Sequence, residues 1–248
     1  MARVLVAGYD GTSRVPGTSD GAVRLWSALS ELRAPTAAAW ERSFIREDSK
    51  SSLITCRKIR ARADAQRFDL ALGGEHLITF PLIESLHRAE PKLRLVVLDA
   101  HHDAYDYPLL THFSLFHFLW EELKIPTMIL GVRYEVEKAA PGCQLVPMAA
   151  LRAQGIEATL ARVQAFTEGA PFYLSVDLDV LDPAALPAVS DPIPGGLTVP
   201  ELTGIMDTIL GWRPVAMDLV EYNGVRDPGG QALLGLQPIL GSVARWLG

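Results

Sequence analysis

Short runs of Val, Leu, Ile and Phe with no polar alternation recur along this chain, separated by segments of helical period. A strand that is apolar on both sides has no face to offer water, so it belongs inside a sheet covered on both faces. Arg3–Gly8, Phe68–Leu72, Leu93–Leu98, Thr127–Leu130, Phe172–Val176 and Val215–Val220 read as such strands. Gly21–Leu32 reads as a helix with Val23, Trp26, Leu29 and Leu32 on one side. Further helices are expected at Glu75–Arg88, Ser114–Leu123, Ile156–Thr167, Val199–Leu210 and Gln231–Leu247. This alternation predicts an α/β fold, a parallel sheet between two helical layers. No repeat or linker interrupts the rhythm. The Pro/Gly-rich stretch Asp182–Pro200 lies between a strand and a helix and reads as a functional surface loop. One domain over residues 1–248 is the expectation.

Composition narrows what such a fold would do. With 49% hydrophobic and 21% charged residues, the chain is neither disordered nor of low complexity. A net charge of −6 without a basic stretch argues against a nucleic-acid groove. The first apolar run, Val4–Ala7, is too short for the core of a signal peptide and far short of a membrane span. Two cysteines, Cys56 and Cys143, cannot build a disulfide framework and suit a reducing compartment. A cytoplasmic protein without membrane or nucleic-acid partners is expected.

The polar residues collect at the carboxyl ends of the expected strands. One strand runs into Gly73-Gly74-Glu75-His76, another into Asp99-Ala-His-His-Asp103, a third into Asp177-Leu-Asp179 and a fourth into Glu221-Tyr-Asn223. Ligands of open parallel sheets bind outside those ends, so the four clusters should converge. Asp99, His101 and Asp103 are spaced by two, and so are Asp177 and Asp179. In extended backbone each set therefore projects to one side. With His76 they bring four carboxylates and two imidazoles to one point, where the acids would repel one another and protonate unless cations were present. Each residue alone has a plainer reading: Asp99 or Asp103 as a turn or capping residue, His76 as the start of a helix. Together they predict two divalent metals, and an oxygen-rich set with a minority of His and no Cys favours Mn²⁺.

These stretches resemble the ureohydrolase superfamily of arginases, agmatinases and formimidoylglutamases. The matching residues are Gly73–His76, Asp99–Asp103, Ser175–Pro183, Pro194–Thr198 and Asp218–Asn223, with the opening Gly8-Tyr-Asp10 and Gly21-Ala-Val-Arg24. The resemblance implies a three-layer α/β/α sandwich with a mostly parallel sheet of about eight strands. It also implies two Mn²⁺ ions per subunit, one held by His76, Asp99, Asp103 and Asp177, the other by Asp99, His101, Asp177 and Asp179. Glu221 matches the acid that pairs with the guanidinium or amidine group. A homo-oligomer is likewise implied. Asp103-Ala-Tyr105 followed by His112 is similar to agmatinases, whereas Pro187–Pro192 and Glu221–Asn223 look closer to formimidoylglutamases.

The chemistry expected is attack of a metal-bridging hydroxide on the planar carbon of a guanidino compound, with release of urea. Asp103 would orient the hydroxide, Glu221 would hold the cationic head bidentately, and a histidine at the rim would protonate the leaving amine. His112 is expected in that role; His117 would pack on an apolar helix. His102, between two ligands, should point away from the metals. Tyr105, Ser190, Asp191 and Asn223 are candidate contacts for the rest of the substrate. The alternatives are a formimino substrate releasing formamide, an arginine side chain within a peptide, and a non-catalytic guanidino-binding protein. The last is disfavoured because no metal ligand is missing.

Overall fold

The computed structural model describes residues 1–33, 39–46, 51–136 and 140–248. In chain order its strands are β1 (Arg3–Gly8), β2 (Glu41–Arg46), β3 (Leu70–Gly73), β4 (Arg94–Leu98), β5 (Thr127–Leu130), β6 (Cys143–Val146), β7 (Phe172–Asp177) and β8 (Ala216–Val220). They form one eight-stranded sheet in the order β2-β1-β3-β8-β7-β4-β5-β6, with every neighbouring pair parallel.

Continuous apolar strands bury both of their faces here. In β4, Leu95 and Val97 point into one core layer while Val96 and Leu98 point into the other. The first layer is closed by α2 (Ser52–Ala65), α3 (Thr79–Ala89) and α4 (Leu115–Leu123), through residues such as Ile59, Ile83 and Phe116. The second is closed by α1 (Thr18–Glu31), α5 (Met148–Gln154), α6 (Ile156–Thr167), α7 (Val199–Gly211) and α9 (Gln237–Leu247), through Leu25, Leu151, Val163, Met206 and Leu240. Burying a side chain of that size contributes roughly 1.5–3 kcal/mol. A short helix, α8 (Gln231–Gly235), precedes α9, so the expected single helix at Gln231–Leu247 is divided at Leu236.

Helix starts follow local chemistry. Thr198 caps α7: its side chain accepts from the Glu201 N–H while the Glu201 carboxylate accepts from the Thr198 N–H, and Pro200 sits in the first turn. The stretch Asp182–Pro200 is an ordered loop. Asp182 accepts from the N–H groups of Ala184, Gly195 and Gly196, and Leu181 pairs with Leu197.

What matters for the site is the strand order. The strands that end in polar clusters, β3, β8, β7 and β4, are the four neighbours at the middle of the sheet, although β3 and β8 are about 145 residues apart in sequence. Their carboxyl ends therefore open onto one crevice.

Candidate metal centre

The turn after β3 brings the first ligand. Gly74 passes so close to the Tyr9 carbonyl that a Cβ would lie 1.8 Å from its oxygen, which only glycine tolerates. A single 3-10 turn, His76–Ile78, follows and aims the fully buried His76 ring at the ends of β4 and β7. His76 Nδ1 lies 3.1 Å from Asp99 Oδ2, 3.1 Å from Asp103 Oδ2 and 3.3 Å from Asp177 Oδ2. Its other nitrogen, Nε2, meets Ser175 Oγ at 2.9 Å, and Ser175 Oγ donates to Asp218 Oδ1 at 2.6 Å. Thr79 and Tyr173 hydroxyls complete the buried Asp218 carboxylate at 2.7 and 2.8 Å. This chain fixes the ring with Nδ1 toward the acids, the arrangement that orients a metal-binding imidazole.

Three of the four carboxylates share a pattern: one oxygen is clamped by backbone, the other faces the cluster. Asp99 Oδ1 accepts from the His101 N–H at 2.6 Å, Asp177 Oδ1 from the Asp179 N–H at 2.9 Å, and Asp179 Oδ1 from the Ala100 N–H at 3.1 Å. Asp179 Oδ2 then lies 2.8 Å from His101 Nδ1. The Arg133 guanidinium donates to the carbonyls of Asp179, Val180 and Leu181, which pins the turn bearing Asp179.

Two ligand groups result, His76–Asp99–Asp103–Asp177 and Asp99–His101–Asp179, with Asp99 common to both. The first is the set expected for one ion. The second comprises Asp99, His101 and Asp179 without Asp177, so among the described residues Asp99 alone is common to both groups.

The charges explain why this cluster suits cations. Burial pushes Asp103 up to about 6, with the Asp99 charge adding to it. Burial, then Asp179 and Asp99, hold Asp177 well above the usual carboxylate range. Burial opposes a charged His76, yet hydrogen bonds to Asp103, Asp177 and Asp99 raise it well above an ordinary imidazole. His101 behaves likewise beside Asp179. Protonated imidazoles thus supply the positive charge the acids require. A divalent cation would supply more and free both rings to bind as neutral ligands. Asp99 Oδ2, fully buried, shares the single His76 Nδ1–H with Asp103 and Asp177, which leaves it open to a cation.

A cavity of about 500 Å³ opens onto the cluster, lined by His101, Asp103, Asp177 and Asp179 and also by Glu221, His112 and Tyr105. Glu221 follows β8 in a left-handed conformation (φ +67°), as does Asp103 (φ +43°). The other non-glycine residues with positive φ among those described, Lys124 and Arg213, sit at helix ends. Strained backbone is thus found at two of the acids that line the cavity, Asp103 and Glu221. Glu221 Oε1 accepts from the His76 N–H at 2.8 Å; burial, then the Glu75 charge, raise its carboxyl well above the usual range.

His112 Nδ1 lies 3.0 Å from Thr12 Oγ1, and Thr12 Oγ1 donates to Glu75 Oε1 at 2.5 Å. The Thr12 N–H also points at the fully buried Glu75 carboxylate, whose pKa burial pushes up to about 8 against these hydrogen bonds. Because the threonine hydrogen goes to Glu75, its oxygen accepts from Nδ1–H of His112, which leaves Nε2 as the ring's proton acceptor. Sequence reasoning assigned nothing to Thr12 or Glu75. Their only signal was Glu75 itself, a carboxylate in an otherwise apolar turn beside His76.

The remaining candidates divide. Ser190 and Asp191 line the cavity with Tyr105. Asn223 does not: it is buried behind the wall, its amide donating toward the Val15 and Pro16 carbonyls and Ser190 Oγ, its oxygen accepting from the Arg226 N–H. His117 lies outside the cavity, 3.6 Å from Asp106. His102 turns away from the cluster; it is buried between Tyr105 and Tyr134 and accepts from the Ala104 N–H.

Comparison with known proteins agrees with this geometry. The arginase family profile matches residues 2–240. Over 179 residues the chain is 34% identical to the guanidinopropionase of Pseudomonas aeruginosa, an overlap of 66% of this chain and 56% of that protein. It is 30% identical over 162 residues to the agmatinase of Proteus mirabilis, covering 64% and 53%. The chain spans about half the length of the curated relatives it matches. The crystal structure of arginase from Bacillus subtilis superposes with a TM-score of 0.87 at 20% identity, covering 100% of this chain and 99% of that one, a likeness of fold.

Proposed function

Because this chain belongs to the arginase family, we propose that it hydrolyses a C–N bond of a guanidino compound and releases urea. The observation that carries the reading is the joining of two His/Asp groups through Asp99 beneath a cavity that also holds Glu221. We assign one divalent cation to His76, Asp99, Asp103 and Asp177 and a second to Asp99, His101 and Asp179, with Mn²⁺ favoured by the oxygen-rich ligand set. When bound, such ions neutralise the acids and make water acidic enough to act as a nucleophile near neutral pH.

The chain's own groups do the rest. Glu221, anchored at Oε1 by the His76 N–H, presents a carboxylate to the planar fork of guanidinium N–H donors. Asp103 accepts a hydrogen bond from the attacking water and so aims its lone pair at the central carbon. In the metal-free protein burial, then the charges of His76 and His101, lower the His112 pKa to about 4 and keep the ring neutral. With Nδ1 held on Thr12, which keeps the ring from turning, Nε2 is the atom that hands a proton to the leaving amine. Tyr105, at the rim, flanks the substrate's tail. Two thiols without a disulfide fit a reducing, cytoplasmic setting. No helix among the described residues is long and apolar enough to cross a membrane.

The test is a product assay on Mn²⁺-loaded protein with arginine, agmatine, guanidino acids, an arginine peptide and formimino-glutamate, measuring urea and formamide separately. Urea from a guanidino compound, lost in Asp177→Ala, is the expected result. Formamide alone would transfer the protein to the formimino reading, and neither product from metal-loaded protein would refute both.

A further inference from the structure

The cavity's charges are unequally matched once the reading above is granted, on which this inference rests. Asp99, Asp103, Asp177 and Asp179 face the cations, and Glu221 takes the guanidinium. Asp191 at the rim lies 3.5 Å from Nε2 of His101, the ring nitrogen that turns away from Asp179. One charge at the cavity has no counterpart. Among the described residues Arg14 is the only Lys or Arg lining it; it is solvent-exposed and has no hydrogen bond or ion pair with any of them.

An exposed arginine on a loose loop would mean little, but this loop is held on both sides of Arg14. Thr12 is tied through its N–H and hydroxyl to the buried Glu75. The Val15 carbonyl accepts from Ser190 Oγ and is reached by the Asn223 amide, which also binds the Pro16 carbonyl. Ser13 Oγ closes a local turn with the Val15 N–H and carbonyl. Asp10 accepts from the Gly17 N–H at 2.7 Å and ends the segment. The backbone that carries Arg14 is thus fastened to the turn after β3 and to the loops beside β8, the same elements that carry His76 and Glu221.

We propose that Arg14 is the residue that selects the substrate's far end, and that the substrate class is a guanidino acid: guanidinium on Glu221, carboxylate on Arg14. The planar guanidinium of Arg14 offers paired N–H donors to a carboxylate, the mirror of what Glu221 offers the substrate. The same charge disfavours a guanidino amine such as agmatine, whose free end is an ammonium.

The test compares guanidino substrates of equal length and different ends on the Mn²⁺-loaded full chain: 4-guanidinobutyrate, agmatine and uncharged butylguanidine. Wild type should show the lowest KM for the acid. Arg14→Met should raise that KM roughly ten-fold, the scale of a hydrogen bond to a charged group, with kcat little changed and butylguanidine unaffected. Arg14→Glu should reverse the order of acid and agmatine. Wild-type preference for agmatine, or an acid KM indifferent to Arg14→Met, overturns the assignment of Arg14 while urea from any of the three leaves the guanidino hydrolase standing. Urea from arginine or an arginine peptide but from none of these three would overturn the assignment of Arg14 alone, and urea from no guanidino compound would remove both.

Discussion

At the scale of single residues, the site's chemistry depends on which atoms of each side chain are already committed. Asp99, Asp177 and Asp179 each hold one oxygen on a backbone N–H and turn the other inward. His76 gives Nε2 to Ser175 and His112 gives Nδ1 to Thr12. Thr12→Val keeps the shape and removes the hydroxyl, freeing the His112 ring. A net hydrogen bond of about 0.5–1.5 kcal/mol corresponds to a kcat loss of up to roughly ten-fold, with KM within about two-fold and recovery in Thr12→Ser. An unchanged kcat would show that the hydroxyl does not position His112. The ligands themselves were legible in sequence because their i, i+2 spacing at strand ends has one geometric consequence. The Thr12–Glu75–His112 chain was not, since its members lie 63 and 100 residues from one another and only the fold joins them. Asn223 shows the converse: a polar residue beside Glu221 reads as a substrate contact, yet its side chain is used up in fastening Val15 and Pro16.

At the scale of elements, periodicity located the strands that are buried on both faces and missed the two at the sheet's edges. β2, Glu-Arg-Ser-Phe-Ile-Arg, is charged as an edge that must resist further pairing, and β6, Cys-Gln-Leu-Val, buries only Val146. α2 was overlooked because its buried positions, Thr55, Cys56 and Ile59, are few and flanked by Arg and Lys, while its Leu53 and Ile54 face outward. Strand order was beyond reach of pattern alone, although it is what makes β3, β8, β7 and β4 neighbours. Close contacts between elements give a second prediction. A Cβ at Gly21 of α1 would lie 1.7 Å from the Tyr222 carbonyl, a backbone atom that cannot swing aside. Gly21→Ala should force α1 off the segment after β8 at a cost of about 1–3 kcal/mol or more, lowering Tm by several degrees in a thermal scan. A Tm equal to wild type would mean that this contact is not tight.

At the scale of the whole molecule, stability and metal binding are linked through the same buried groups. Burial raises Glu75 to about 8, and His76 and His101 are raised by the acids around them. In each case the folded, metal-free state holds protons that the unfolded chain releases, so its stability falls as pH rises. His112 acts oppositely, since its lowered pKa of about 4 makes stability rise with pH, but only until the unfolded value near 6.5 is passed. Between pH 6.5 and 8.5 the metal-free protein should therefore lose stability, and Mn²⁺ should remove the part of that slope that His76 and His101 contribute while leaving the part from Glu75. A denaturation midpoint independent of pH without metal would contradict the charge balance described for the cluster. The measurement that most directly tests the central claim is a titration of Mn²⁺ into the metal-free chain while urea release from a guanidino substrate is followed. The rate should rise to a plateau at two equivalents per chain, matching the two ligand groups that meet at Asp99. No urea at saturating Mn²⁺, or a plateau at one equivalent, would contradict it.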